Sequence, residues 1–260
     1  MSLEKFSEDY KENKMPKITF IAPSHRTYLW KIWCSSVITN LDWEAIFVSD
    51  IEPQKEEIPY EFSPHFKYII SPVKPAQCFE IAYRYSTGDY IVWCGDDIMF
   101  SSYAIDQAYN FHKSFHDHKV MSIFRFFEDG TEATYYHKLP WDDKVQLACT
   151  ALISKKAIEE VGGLADVTFV TGHWDADLMM RIYANGGRGY INPLACAYEP
   201  HIAFHKKEAN FALEWAKELE YFTSLWKKDE KTTFERQKSF IPYIDTDILT
   251  ISQGNKGKWI

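Results

Sequence analysis

Cysteine is sparse in this chain. Cys34, Cys78, Cys94, Cys149 and Cys196 are odd in number, widely spread and without a CxxC pair. That spacing excludes a disulfide framework and a zinc ribbon, and it implies reduced, mostly buried thiols. An excess of basic charge is also lacking: 29 Lys and Arg stand against 37 Asp and Glu, for a net charge of -8. A general nucleic-acid binder needs a basic footprint, so that class is set aside. No apolar run approaches the length that spans a bilayer. The first residues, MSLEKFSEDYKENKMPK, hold no apolar signal-peptide core. The expectation is a soluble, cytoplasmic protein. Internal repeats and low-complexity linkers are absent as well.

What is present is a globular composition, with 46% hydrophobic and 25% charged residues. A chain of 260 residues buries about three quarters of its unfolded surface, so no metal or disulfide staple is needed for folding. Aromatic residues reach 17%. They line carbohydrate sites but fill cores more often, and the core reading is preferred here.

Four apolar runs read as buried strands: Ile18 to Ala22, Ala45 to Val48, Tyr68 to Ile70, and Tyr90 to Cys94. Between them lie helical patterns. One carries Leu29, Ile32, Trp33, Ser36 and Val37 on one face, and another covers Pro75 to Tyr85 with Gly88 as its C-terminal glycine. Strands apolar on both faces, alternating with helices, imply a parallel sheet covered on both sides. Ligands bind such sheets beyond the carboxyl ends of the strands. Those ends carry Ser24, His25, Arg26, Asp50, Asp96 and Asp97.

The second half is less regular. Val120 to Phe124, Leu147 to Ile153 and Gly189 to Asn192 read as strands. Ser154 caps a short helix stopped at Gly162-Gly163, and a stronger helix starts near Trp174. From Lys207 to Trp226, Phe211, Trp215, Leu219, Phe222 and Trp226 recur at helical spacing, a stripe that packs on its own domain more often than on a membrane or a partner.

Two constellations carry chemistry. Asp96-Asp97 places two carboxylates directly after a buried strand, where they are costly unless compensated. A hard divalent cation compensates them, and turn chemistry is the plainer alternative. Asp175 and Asp177 fall in the first turn of a helix. They either complement the helix dipole or present one carboxylate as a general base.

Together these segments resemble the inverting family 2 glycosyltransferases. The matching text is Ile18 to Pro23, Phe47-Val-Ser-Asp50, Ser86-Thr-Gly-Asp-Tyr-Ile-Val-Trp-Cys-Gly-Asp-Asp97, Ala151 to Leu164 and Trp174-Asp-Ala-Asp-Leu-Met-Met-Arg181. The resemblance implies a GT-A fold: a Rossmann-like α/β domain over 17–192 with a mixed, mainly parallel sheet flanked by helices. A polar arm over 1–16 precedes it and a helical extension over 193–260 follows. The implied activity is metal-dependent transfer of a sugar from a nucleotide-diphosphate donor, UDP-sugar favoured, to a carbohydrate or glycolipid hydroxyl in polysaccharide or glycoconjugate biosynthesis. The implied roles are Asp175 as catalytic base, Pro23, Asp50 and Asp96 on the nucleotide, and Asp97 with His205 on Mn2+ or Mg2+. His201 is the alternative late histidine. Beside the base, Trp174 either stacks on an acceptor sugar or packs, and His173 meets the acceptor or a phosphate or has no role in the site. Arg26, Lys74, Arg84 and Lys206 are unranked candidates for the donor's negative charge. His112, His116 and His118 read as a solvated helix end.

The chain departs from the family pattern at Gly95, where an acidic residue is usual, at Trp174, where Glu is usual, and at Cys78-Phe79-Glu80. A sugar nucleotidyltransferase on a related sheet is the first alternative, disfavoured because Pro23-Ser-His-Arg-Thr27 holds no glycine. The second alternative is a non-catalytic module that binds a sugar or nucleotide.

Overall fold

The computed structural model describes residues 15–133, 138–200 and 209–243. The chain runs through β1 (Lys17–Ser24), α1 (Trp30–Ser36), β2 (Asp42–Ser49), β3 (Phe66–Ile70), α2 (Pro75–Tyr85), β4 (Tyr90–Trp93), β5 (Met99–Phe100), α3 (Ala104–Ser114), β6 (Val120–Glu128), β7 (Thr131–Glu132), β8 (Ala151–Ser154), α4 (Lys155–Glu160), α5 (Trp174–Ala184), β9 (Arg188–Glu199) and α6 (Ala209–Trp226). A short hairpin of β10 (Lys227–Lys228) and β11 (Lys231–Thr232) follows.

The strands lie in the order β3-β2-β1-β4-β8-β6-β9-β5, with β7 beside β6. The first four are parallel. β8 runs antiparallel to both its neighbours, and β6 and β9 are parallel again. This is the mixed, mainly parallel sheet flanked by helices that the resemblance implies; the alternating pattern by itself implies a parallel one, and β8 departs from it. β1 sits where the order reverses, with β2 on one side and β4 on the other. That crevice is where ligands settle in open α/β sheets.

Burial of the strands on both faces follows from their alternation. Ile18, Phe20 and Ala22 of β1 point to one core, built with Trp30, Trp33, Phe47 and Phe100. Ile21 points to the other, built with Ile46, Ile91, Trp93, Leu178 and Trp226. The aromatic excess is largely core. Phe20 meets Trp33 edge-on at 5.2 Å, and Trp33 meets Phe47 at 4.8 Å, geometries that complement the ring quadrupoles. Each such ring stabilises the fold by about 1.5–3 kcal/mol through area removed from water.

Several expectations are corrected. Ile32 is half exposed, because the buried face of α1 is Trp30, Trp33 and Cys34. Gly88 does not cap α2; Ser86 holds that place in extended backbone. Gly88 instead lies against β1, where a Cβ would meet Thr19 Oγ1 at 2.5 Å and the Lys17 carbonyl at 2.8 Å. The strand expected from Leu147 begins only at Ala151. The boundary drawn at 192 falls inside β9, whose residues 193–199 continue the sheet beside β6. His112 is buried, its Nδ1 2.6 Å from the Val120 carbonyl, so it belongs to no solvated face.

α6 packs on the same body: Phe222, Leu225 and Trp226 join the core of α2 and α5. Among the described residues no helix is long and apolar enough to cross a membrane. Residues 1–14 of the polar arm, Lys206, His201 and His205 lie outside the described residues, as does the Phe211 side chain.

Candidate active site

The site is built at the ends of β1, β2 and β4. β1 and β2 end level, Ser24 opposite Ser49, so His25-Arg26 and Asp50 leave the sheet side by side. Asp50 is half exposed and pairs with His25 Nδ1 at 2.9 Å. Pro23, still on β1, is partly buried beside them.

β4 delivers Gly95-Asp96-Asp97 to the same crevice. Asp96 Oδ2 accepts from Ser24 Oγ at 2.8 Å, from His25 N at 2.9 Å and from Arg26 N at 2.8 Å. Its Oδ1 accepts from Arg26 Nε at 2.9 Å and Nη2 at 2.5 Å. The same Nη2 lies 2.7 Å from Asp97 Oδ2. Asp97 is 6% exposed, and burial, reinforced by Asp96, pushes its pKa up to about 6. A Cβ at Gly95 would meet the Asp97 carboxylate, so a larger residue there would shift that side chain.

Helix α5 begins at Trp174. Its N-cap, His173, has left-handed backbone (φ 57) and gives no side-chain cap. Asp175 is partly buried, and among the described residues its carboxylate accepts only the Ala176 N–H, at 2.8 Å. Burial pushes its pKa up to about 6. Glu199, at the end of β9, acts on the charge of Asp97 and on the Cys149 thiol. That thiol is raised first by burial and then by Asp175. Cys149 thus lies near Asp175 and Glu199.

Asp177 has a different environment. It is fully buried and accepts from Arg181 Nε at 2.8 Å, Trp226 Nε1 at 2.9 Å and Arg236 Nε at 3.1 Å. The two aspartates of this turn thus differ in surroundings: Asp177 is saturated by buried donors, while Asp175 accepts the Ala176 N–H.

Trp174 does not face the crevice. It is buried, 4.5 Å from Phe79 and 6.1 Å from Trp93 between ring centroids, which leaves it no ring face for an acceptor sugar. His173 lies 4.2 Å from Trp215 and stacks on Phe222 at 6.0 Å. Its Nε2 is buried without a hydrogen-bond partner among the described residues, and burial lowers its pKa.

The basic candidates separate cleanly. Arg26 is on the acidic pair. Lys74 pairs with Glu214 at 3.3 Å, and Arg84 with Glu80 at 2.7 Å.

Glu218 is a site-building residue that sequence reading missed. It is buried on α6, and its carboxylate accepts from Val170 N, Thr171 N, Thr171 Oγ1 and Gly172 N at 2.6–2.9 Å. It therefore holds the loop that leads into α5. A charged residue inside the apolar stripe of Trp215, Leu219 and Phe222 was the available signal.

Among the described residues no group of three His, Cys, Asp or Glu side chains forms a metal-binding cluster. A cavity of about 590 Å³ lies elsewhere, between Glu160, Arg181, Trp226, Arg236 and Phe240, and none of the crevice carboxylates lines it.

No protein-family model and no curated protein matches the chain. Solved structures do match in fold. The crystal structure of S. aureus TarS 1-349 superposes with a TM-score of 0.59 at 13% identity, covering 82% of this chain and 67% of that one. The same TarS segment in complex with UDP-GlcNAc gives 0.60 at 12% identity, with 82% and 68% covered. Its complex with UDP gives 0.59 at 12%, with 82% and 67% covered. At this identity the likeness establishes a shared fold.

Proposed function

We propose that this chain is a nucleotide-sugar-dependent glycosyltransferase, with a UDP-sugar as the favoured donor, and that it transfers the sugar with inversion to a carbohydrate or glycolipid hydroxyl. The observations that support this reading are two carboxylates, Asp97 and Asp175, each with a pKa pushed up to about 6 by burial. Asp97 lies at the β4 end paired with Arg26, and Asp175 lies at the start of α5 with one backbone donor, the Ala176 N–H, and a pKa pushed up to about 6. A base of that strength is matched to taking a hydroxyl proton near neutral pH. The TarS likeness supports the choice of donor, because that fold is solved with UDP-GlcNAc and with UDP.

In this reading Asp50 meets the nucleobase, Pro23 lines the nucleotide, and Asp96 meets the ribose. Asp175 takes the acceptor proton as the hydroxyl attacks the anomeric carbon opposite the leaving diphosphate, and His173 borders the acceptor. Asp97 is the hard oxygen donor that suits Mn2+ or Mg2+. Its charge is only partly balanced by Arg26, and such cations are held by one or two carboxylates plus substrate phosphates. A bound cation supplies charge stabilisation for the leaving diphosphate. His205 or His201 is the proposed late ligand. The proposed location is the cytoplasm, with peripheral membrane contact left to the acceptor's nature.

The test is thermal shift and donor hydrolysis against UDP-, GDP- and dTDP-sugars, with Mn2+, Mg2+ or EDTA. One nucleotide is expected to stabilise the protein only with a divalent cation, and Asp175→Asn is expected to retain that binding while losing turnover. Binding without turnover under every condition would favour the non-catalytic module, and no response to any nucleotide would end the reading.

A further inference from the structure

Asp96 and Asp97 are adjacent but differently held. Asp96 Oδ2 is satisfied by three uncharged donors, Ser24 Oγ and the N–H groups of His25 and Arg26. The other two oxygens that face the crevice, Asp96 Oδ1 and Asp97 Oδ2, share one atom. Arg26 Nη2 lies 2.5 Å from the first and 2.7 Å from the second. Among the described residues these carboxylates are the only hydrogen-bond and ion-pair partners of the guanidinium, which is 21% exposed.

Two consequences follow from this wiring. The oxygens suited to a hard cation are those a guanidinium nitrogen already occupies, and two positive groups cannot share them. Withdrawal of the guanidinium would also leave Asp96 in place, because the three donors on Oδ2 do not depend on it. Asp97 would lose its only cationic partner among the described residues.

We propose that Arg26 is the resident counter-cation of the Asp96–Asp97 pair and that it yields Asp97 only when a nucleotide diphosphate arrives, its guanidinium moving to the phosphates. The exchange rests on the nucleotide-sugar reading above. A guanidinium suits both positions, since its planar fork matches carboxylate and phosphate alike. Charge explains the order. Two carboxylates against one guanidinium leave a net negative site, which holds Arg26 until a more highly charged anion competes for it. The protein then takes up little free divalent cation, and cation and nucleotide bind together.

The experiment measures Mn2+ alone, by the electron paramagnetic resonance signal of the free ion, against wild type, Arg26→Ala and Arg26→Lys. UDP titrations with and without Mn2+ run in parallel, and circular dichroism checks folding. Wild type is expected to bind Mn2+ alone weakly, and Arg26→Ala about tenfold or more tighter, the scale of about 1.4 kcal/mol for one lost competitor. Arg26→Lys should fall between them, since an ammonium is a point charge without the fork. UDP with Mn2+ should bind Arg26→Ala more weakly than wild type. Equal Mn2+ affinity in wild type and folded Arg26→Lys or Arg26→Ala overturns the counter-cation role, whatever the nucleotide does. Failure of wild type to bind any nucleotide with any cation instead overturns the nucleotide-sugar reading and the exchange with it, while the Mn2+ comparison still decides what Arg26 does at the carboxylates.

Discussion

Asp166 and Asp177 are fully buried, and Asp96 and Asp97 nearly so, yet the two pairs are compensated differently. Asp166 accepts from Thr168 N, Ile241 N and Arg236 Nη2, and Asp177 from Trp226, Arg181 and Arg236. Two carboxylates face two guanidinium groups, with 5% and 10% side-chain exposure for Arg181 and Arg236. Burial works to raise Asp166, but its two backbone N–H donors and Arg236 hold it below the usual carboxylate range. At the crevice two carboxylates face Arg26 alone, and Asp97 is pushed up instead. The balanced pair locks the C-terminal segment to α5. The unbalanced pair retains an unmet demand for positive charge at a strand end. Saturation marks structure and deficit marks function, because a deficit persists only at a cost in stability.

The comparison is broken most forcefully at the balanced pair. Asp177→Ala leaves Arg181 and Arg236 without a shared carboxylate in the core. It is expected to cost about 3–5 kcal/mol, the range for removing one partner of a buried ion pair, measured by chemical denaturation.

At the unbalanced pair the sign reverses. Asp97 has its folded pKa raised from 3.8 to about 6, so its protonated form is favoured by folding. The stability it contributes is full below about pH 4 and is lost as pH rises through about 6. Asp97→Asn is therefore expected to be more stable than wild type at pH 8 by up to about 2–3 kcal/mol, with the gain vanishing at pH 4. Denaturation midpoints of the two proteins across that range check it. A loss of stability at pH 8 would show that Arg26 balances the pair after all. Asp166, lowered rather than raised, contributes in the opposite sense: its stability is present above the unfolded value and is lost as pH falls through the folded one.

Glu218 sharpens the contrast as a third buried carboxylate, compensated by backbone donors. Glu218→Ala strands three N–H groups of the loop before α5. It is expected to cost about 2 kcal/mol, at about 1–3 kcal/mol per unsatisfied buried group after partial relaxation, read as a lowered denaturation midpoint. Asp50→Ala is the smallest perturbation of the fold. Its half-exposed pair with His25 adds little to stability, so the melting temperature should hold. UDP affinity is expected to fall about tenfold, the scale of one hydrogen bond to a charged group, by calorimetric titration.

The apolar runs that became β1, β2, β3 and β4, the helix over Pro75 to Tyr85 and the helix from Trp174 were legible because alternation and helical spacing state which faces are buried. So was the gathering of Asp50, Asp96 and Asp97 at the strand ends, since each follows an apolar strand directly. What periodicity does not state is which polar groups meet. Arg26 reaches carboxylates some 70 residues away, Glu218 a loop 46 to 48 residues away, and Arg236 an aspartate 70 residues away. Trp174 shows the same limit for an apolar group, because its ring turns into the core against Phe79 and Trp93. β9 was read as ending at Asn192 although it continues past Pro193 to Glu199, across a register shift opposite Phe124 and Arg125.

The order of apolar and polar residues was enough to determine a doubly covered, mainly parallel sheet with acidic groups at its strand ends, because burial of alternating faces is a local property of each segment. The tertiary structure alone decided which of those acids are neutralised and which remain in deficit. Compensation of a buried charge depends on the cation that packing brings to within hydrogen-bond distance, and for Asp97 and Asp177 those partners come from opposite ends of the chain.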